Sequence, residues 1–262
     1  EDLLASLPPT IGIPEELMRR AAIHEAGHSI VAVALGKSFQ EVEIQETVEV
    51  TSRSQALGSV RIGPRAVGDQ TDQSLLDEIC FLLGGGAAEQ VVLGTRSTGA
   101  GGERGSDLHL ATLIALRLET SYGLGRGLAF LAAEGEADLW RTLHASSAVR
   151  ERVEAVLAEQ MTRARSIVQR HRSALDQGSK ELLERKKIGF ARVIALVSNS
   201  EITGTAADDA STDGNIVQAV SVGMDQLDTQ SSQEAAGAAR HPRATPLEVL
   251  AEVVEPWPKS DA

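Results

Sequence analysis

The sequence is poor in cysteine, in aromatic side chains and in basic charge, and each shortage excludes something. One cysteine, Cys80, in 262 residues excludes an internal disulfide framework, and its place in an apolar run indicates a buried side chain. Phe, Trp and Tyr make up 3% of the chain, which argues against a deep aromatic binding pocket. Lys and Arg total 25 against 37 Asp and Glu, so phosphate would be repelled and no nucleic-acid partner is expected.

Long apolar runs are also lacking. No stretch reaches the roughly 18 to 20 apolar residues that a membrane helix needs, and no basic segment precedes an apolar core at the N-terminus. We therefore expect a cytoplasmic chain without a membrane segment of its own. Residue 1 is Glu, so we also expect trimming or a longer parent polypeptide, and membrane attachment could come only from sequence not shown.

The first third of the chain predicts a helix followed by a hairpin. Residues 1–14 carry Pro and Gly and are interpreted as a linker, and a helix is predicted from residue 15 to about residue 35, with Gly36 ending it. Residues 41–51 alternate apolar and polar side chains with Glu46 as the exception, which is typical of a half-exposed strand. Residues 56–62 predict a second strand, joined to the first by polar residues 51–55.

The remainder of the chain predicts mainly helices. One helix is expected from residue 71 or 72 to Gly94; glycines 84–86 stand in its middle, so another backbone should approach closely there. A loop rich in Gly, Ser and Thr leads to a helix capped by Ser106. Residues 146–197 predict two antiparallel helices with a break near Gly178.

The composition changes after Ser198. Residues 199–262 hold few large apolar groups and predict a low-complexity, disordered tail, with a possible short helix near 246–255. The fold class is therefore mainly α: a helical domain at 15–198 with a small β-hairpin or sheet, followed by a disordered tail.

The chemical signal is His24-Glu25-Ala26-Gly27-His28 inside the first predicted helix. Side chains at i and i+4 lie about 40° apart around a helix and one turn apart along it, so both imidazoles can reach one metal ion. Glu25 would then act as the general base on a water molecule. Two ordinary histidines on a partly buried helix are the structural alternative.

A catalytic zinc ion needs a third protein ligand and an open position. Asp107, Glu89 and His109, all on later helices, are the candidates. An acid at a helix N-terminus also stabilises the helix dipole, so spacing alone leaves the choice of Asp107 open.

Several blocks of sequence, in order, resemble the peptidase domain of FtsH-type AAA+ zinc metalloproteases. They are 24–30 (HEAGHSI), 82–93 (LLGGGAAEQVVL), 97–100 (STGA), 106–112 (SDLHLAT) and 122–124 (YGL), and the resemblance extends over about residues 15–190. It implies a zincin-like helical domain that binds one Zn²⁺ through His24, His28 and Asp107, with Glu25 as the base.

The resemblance also implies partners. Domains of this family form hexameric rings beneath AAA+ ATPase modules, which supply unfolded protein substrates. The chain contains no phosphate-binding P-loop, so we expect the ATPase module in cis, upstream in the same polypeptide, or in trans, on a partner chain. The strand at Leu57, Gly58, Ser59 and Val60 is a candidate substrate-binding edge, with a simple hairpin strand as the alternative.

Some positions depart from the family pattern. Gly86 stands where Arg is usual, Gln90 where a second acid is common, and residues 101–104 are additional in the loop before Asp107. The alternative function is a degenerate, non-proteolytic scaffold for ring assembly or docking. The presence of all three proposed ligands and of the base argues against this alternative.

Overall fold

A computed structural model of the protein describes residues 9–49, 57–61 and 70–205. This part of the chain is mainly helical, as predicted. The helices are α1 (Glu15–Ala34), α2 (Asp72–Leu82), α3 (Gly84–Leu93), α4 (Asp107–Thr120), α5 (Glu136–Ala145), α6 (Ser147–Arg170), α7 (Arg172–Arg185) and α8 (Phe190–Thr205). The strands are β1 (Thr10–Gly12), β2 (Glu41–Ile44), β3 (Thr47–Glu49), β4 (Gly58–Arg61) and β5 (Lys187–Gly189).

Helix α1 lies at the centre of the fold. Glu15 and Glu16 occupy its first turn, where carboxylates are favourable, and Gly36 follows its end with φ of 69°, a conformation suited to glycine. From Ala21 to Ala32 almost every residue is buried, because α3, α7 and the sheet pack around the helix. The core beside it contains fully buried Ile30, Ile79, Leu116, Leu139, Leu175 and Leu182.

The predicted close approach at the glycines is confirmed. The backbone breaks at Leu83, which separates α2 from α3, and α3 then packs directly on α1. A Cβ on Gly84 would lie 3.2 Å from the carbonyl oxygen of Gly27, and one on Gly85 would overlap the His24 ring. The glycines therefore allow α3 to contact the motif helix at backbone distance.

The predicted hairpin strands pair as expected, in a sheet of order β4-β2-β5. In the antiparallel register Val42 faces Val60, and Ile44 faces Gly58. The predicted strand 41–51 is divided into β2 and β3 around Glu46, which is its one exception to the alternation. Strand β3 pairs with β1, which lies within the segment 1–14 that was predicted as a linker. The predicted connection 51–55 lies outside the described residues.

The prediction of two antiparallel helices with a break near Gly178 is wrong. Residues 147–205 form three helices, with interruptions at His171 and at Lys186, whose φ of 64° ends α7. Strand β5 follows and pairs with β2. Gly178 lies within α7, where a Cβ would contact Leu196 and Ala26, so this glycine serves helix packing rather than a turn.

The first residues of the predicted tail, 199–205, are helical. Helix α8 continues past Ser198 to Thr205, since apolar residues before Ser198, among them Val193, Leu196 and Val197, anchor the helix in the core. The rest of the tail, including the possible helix at 246–255, lies outside the described residues. Among the residues that are described, no helix is long and apolar enough to cross a membrane.

Candidate metal centre

The motif histidines project from the buried middle of α1. His28 is 5% exposed, and the side chain of His24 is 12% exposed. Their Nε2 atoms lie 3.0 Å apart, which is the juxtaposition that the i, i+4 spacing predicts.

Asp107 completes a cluster of three side chains. It is the first residue of α4, and its Oδ2 atom lies 3.2 Å from Nε2 of His24 and 3.2 Å from Nε2 of His28. Tetrahedral zinc with bonds of about 2.0–2.1 Å places its ligand atoms about 3.3 Å apart. The edges of this triangle therefore match the spacing that a zinc ion requires.

Both imidazoles are held by hydrogen bonds on their other nitrogen. Nδ1 of His24 lies 2.8 Å from Oε1 of Glu89, and Nδ1 of His28 lies 2.8 Å from the carbonyl oxygen of Phe81. The Phe81 carbonyl can only accept, so Nδ1 of His28 donates, and the Glu89 carboxylate imposes the same role on Nδ1 of His24. Whenever the rings are neutral, Nε2 carries no proton, and both Nε2 lone pairs face Oδ2 of Asp107.

Three acceptor atoms in mutual contact repel each other unless a proton or a metal cation lies among them. Two imidazole nitrogens and a carboxylate oxygen form a donor set that suits zinc, and hydrogen bonds at Nδ1 are the usual support of metal-binding histidines. Within the part of the chain that the structure describes, His24, His28 and Asp107 are the group able to hold a metal ion.

The pKa values of His24 and Asp107 also indicate that the cluster favours a positive charge. Burial lowers the pKa of His24, but hydrogen bonds to Asp107 and Glu89 outweigh burial and raise it to about 10. Burial raises the pKa of Asp107, yet hydrogen bonds from His24 and His28 hold it well below its usual range. The cluster thus attracts a positive charge, as a proton or as a metal cation.

Glu25 follows His24 on α1 and is 8% exposed. Burial raises the pKa of its carboxyl, and the neighbouring His28 and His24 reduce that effect. Strand β4 passes directly beside it, since a Cβ on Gly58 would lie 2.5 Å from Cγ of Glu25. A carboxyl with a raised pKa binds a proton more readily than a free one, which suits a group that accepts a proton and passes it on.

The other two candidate ligands lie elsewhere. Glu89, on α3, contacts the opposite side of the His24 ring and is 1% exposed. His109 stacks on Trp140 with a centroid distance of 5.7 Å, accepts from the Gly105 amide at Nδ1 and lies 3.4 Å from Glu136 through Nε2. Asp107 is therefore the acid that faces both Nε2 atoms.

An open cleft of about 960 Å³ surrounds the cluster. Its walls are α1, strand β4 and the glycine-rich loop before α4, which contribute Leu17, Glu25, Leu57, Val60, Ser97 and Arg104 among others. The predicted edge residues Leu57, Gly58, Ser59 and Val60 all line this cleft. The three side chains and β4 therefore lie on the walls of one cleft.

Three groups around the site were not predicted from the sequence. Arg20 donates to Glu89, Ser97 donates to Glu89 through its amide and hydroxyl, and the Phe81 carbonyl accepts from His28. Arg20 stands four residues before His24, so the i, i+4 rule could have placed it on the same face of α1. Every residue has a backbone carbonyl, so the residue pattern could not predict that the carbonyl of Phe81 accepts from His28.

A buried pair of helix-borne histidines beside an acid, a second carboxyl and an open cleft are features of a helical metallopeptidase site. The sequence profile described as "Peptidase family M41" matches residues 12–196. The chain belongs to this family and is an FtsH-type peptidase domain.

Curated relatives agree over the same region. The chain is 30% identical over 208 residues to "ATP-dependent zinc metalloprotease FtsH 2" of Sphaerobacter thermophilus, and this alignment covers 76% of this chain and 31% of the relative. It is 33% identical over 189 residues to "ATP-dependent zinc metalloprotease FtsH" of Acidothermus cellulolyticus, covering 67% of this chain and 27% of the relative. The chain thus matches between 27% and 31% of the length of these relatives.

Proposed function

We propose that this chain is a zinc metalloendopeptidase that hydrolyses peptide bonds of unfolded proteins. His24, His28 and Asp107 would hold the Zn²⁺ ion, and Glu25 would be the general base. The convergence of the three ligand atoms within 3.0–3.2 Å of one another carries this proposal. The zinc metalloproteases that the chain resembles support it.

The residues of the chain divide the work of hydrolysis. A bound zinc ion supplies Lewis acidity, which polarises a carbonyl group and lowers the pKa of water. Glu25 accepts the proton of the attacking water and delivers a proton to the amine that leaves. Its burial beside β4 keeps the carboxyl close to the polypeptide bound there.

Strand β4 is proposed as the edge that binds substrate. Gln45 donates to the Leu57 carbonyl at 2.8 Å, and Ser59 faces Glu43, so residues 57 and 59 point their backbone groups at β2. Gly58 and Val60 then direct their N–H and C=O groups to the other edge of β4, which no described strand covers. An extended peptide can add to that edge with its scissile bond near Glu25.

The edge proposal predicts an effect of Val60→Pro on substrate binding. Proline removes one outward N–H, and a strand edge tolerates it. One main-chain hydrogen bond contributes about 0.5–1.5 kcal/mol, so KM should rise roughly 2- to 10-fold. The measurement is steady-state cleavage of a fluorogenic peptide, with zinc content as a check on the site.

Val60→Ala is the matched control, because it trims the same side chain and keeps the N–H. A KM for Val60→Pro equal to that of Val60→Ala would remove β4 from substrate binding and leave it a simple hairpin strand.

The proposal includes partners that this chain does not contain. Because the alignments cover only 27–31% of the matched relatives, whose names include ATP-dependent activity, an AAA+ module in cis or in trans would unfold the substrates. Assembly into a homo-oligomeric ring, a hexamer by resemblance, would enclose the cleft and limit access to unfolded chains.

The test of the proposed function is zinc content together with chelator-sensitive cleavage of unfolded casein by the 262-residue chain. We expect about one zinc per chain, since the cluster offers one set of three ligand atoms. Cleavage should stop after metal removal and return when zinc is restored. Casein is unfolded, so the assay does not depend on an ATPase.

Two other results of the zinc and casein assays would contradict the proposed function. Absence of zinc would refute the central proposal. Bound zinc without cleavage, even when an AAA+ partner is supplied, would favour the non-proteolytic scaffold.

A further inference from the structure

Arg20 is the first residue in a chain of contacts that leads to the metal cluster. It lies on α1 one turn before His24, and its Nη1 donates to Oε2 of Glu89 at 2.6 Å. Oε1 of Glu89 lies 2.8 Å from Nδ1 of His24. The guanidinium therefore acts on His24 through a single carboxylate.

Glu89 needs such a partner because it is buried. It is 1% exposed, and its two oxygens contact four groups: Arg20, His24, and the amide and hydroxyl of Ser97 at 2.7 and 3.1 Å. Among the described residues, Arg20 is the one permanently charged cation that pairs with it. A buried carboxylate without its cation is costly, so loss of Arg20 would favour a rotated or water-exposed Glu89.

The same guanidinium also contacts the loop that leads to Asp107. Nη1 lies 3.4 Å from the Thr95 carbonyl oxygen, and Nη2 lies 3.4 Å from Oγ1 of Thr95. Glu89 holds Ser97 two residues further along. Arg20 thus joins the α1 histidine to the start of the segment that ends at the aspartate.

We propose that Arg20 is a positioning residue for the metal centre, which holds Glu89 against Nδ1 of His24 and thereby aims Nε2 of His24 at the cation. This inference rests on the proposed zinc site. Arginine suits the task because its planar fork bonds Glu89 and Thr95 together, whereas the ammonium of lysine is a point charge.

The test is the zinc dissociation constant of Arg20→Gln, measured by competition with a chromophoric chelator. Outer hydrogen bonds of metal ligands typically contribute about 10- to 100-fold to affinity, so we expect a loss of that size. Arg20→Lys should recover part of it through charge alone. The visible spectrum of the cobalt-substituted chain should also change in Arg20→Gln, because the spectrum reports the orientation of the ligands.

Arg19→Gln is the matched control. Arg19 is the preceding residue, its side chain is 49% exposed, and it lies 4.0 Å from Glu16 at the surface. Its replacement should leave the zinc affinity and the cobalt spectrum unchanged. Urea unfolding of the metal-free variants separates this role from folding: a residue that acted only on stability would shift the midpoint and leave zinc affinity unaltered.

A double-mutant cycle sharpens the result. If Arg20 acts through Glu89, adding Arg20→Gln to Glu89→Gln should weaken zinc binding by less than twofold further. Unaltered zinc affinity in Arg20→Gln, or full additivity in the cycle, would overturn the inference while the parent chain still bound zinc. A parent chain that binds no zinc would refute the proposed function and this inference with it.

Discussion

Glu25→Gln should abolish peptide-bond cleavage and leave zinc binding intact. The amide keeps the size of the side chain beside β4 but cannot accept the proton of the attacking water. General acid–base groups contribute about 10²- to 10⁴-fold, so kcat should fall by that factor. The measurements are single-turnover cleavage of a fluorogenic peptide and zinc content on the same sample.

Glu16→Gln is a suitable control for the base variant. Glu16 lies in the first turn of the same helix, its side chain is 88% exposed, and the cleft does not include it. It should cleave at the parent rate. Cleavage within twofold of the parent by Glu25→Gln would exclude Glu25 from the mechanism.

Asp107→Ala should reduce zinc affinity by much more than Glu89→Ala. Oδ2 of Asp107 lies 3.2 Å from both Nε2 atoms, which is the spacing expected between ligands of one zinc ion. Glu89 contacts only the Nδ1 side of His24. Loss of an outer hydrogen bond costs about 10- to 100-fold in affinity, and loss of a direct ligand should exceed that range. Zinc titration of the two metal-free variants makes the comparison.

The alternative role of Asp107 is stabilisation of the α4 N-terminus. Asp72 provides the control, since it is the first residue of α2 and its carboxylate is exposed outside the cleft. Asp72→Ala should change stability by about 0.3–1 kcal/mol, as helix-terminal charges do, without affecting zinc binding. A greater loss of zinc from Glu89→Ala than from Asp107→Ala would move the third ligand to Glu89.

Interactions within one or two turns could be predicted from the sequence. The i, i+4 spacing brings the Nε2 atoms of His24 and His28 together, and the alternation in 41–44 places Val42 and Ile44 on the buried face of a strand. Glycines 84–86 predicted a close backbone contact, which α1 provides. Local rules predicted a helix break near Gly178, but the packing of α7 against α8 and α1 keeps that glycine inside a helix.

The remaining features depended on distant parts of the chain. Strand β5 is three residues long and is stabilised by pairing with β2, so its own sequence carried no strand signal. Helix α8 extends past Ser198 because buried side chains before that residue anchor it, which composition does not reveal.

By itself the sequence determined the fold class and the two motif histidines with their neighbouring carboxyl, because helix periodicity acts over about four residues. Only the tertiary structure decided which acid faces both Nε2 atoms. Asp107 and Glu89 are 79 and 61 residues beyond His28, and spacing does not separate them at such distances. The close packing of α3 against α1, which the glycines allow, places Glu89 at Nδ1 of His24. The start of α4 places Asp107 at Nε2 of the same ring.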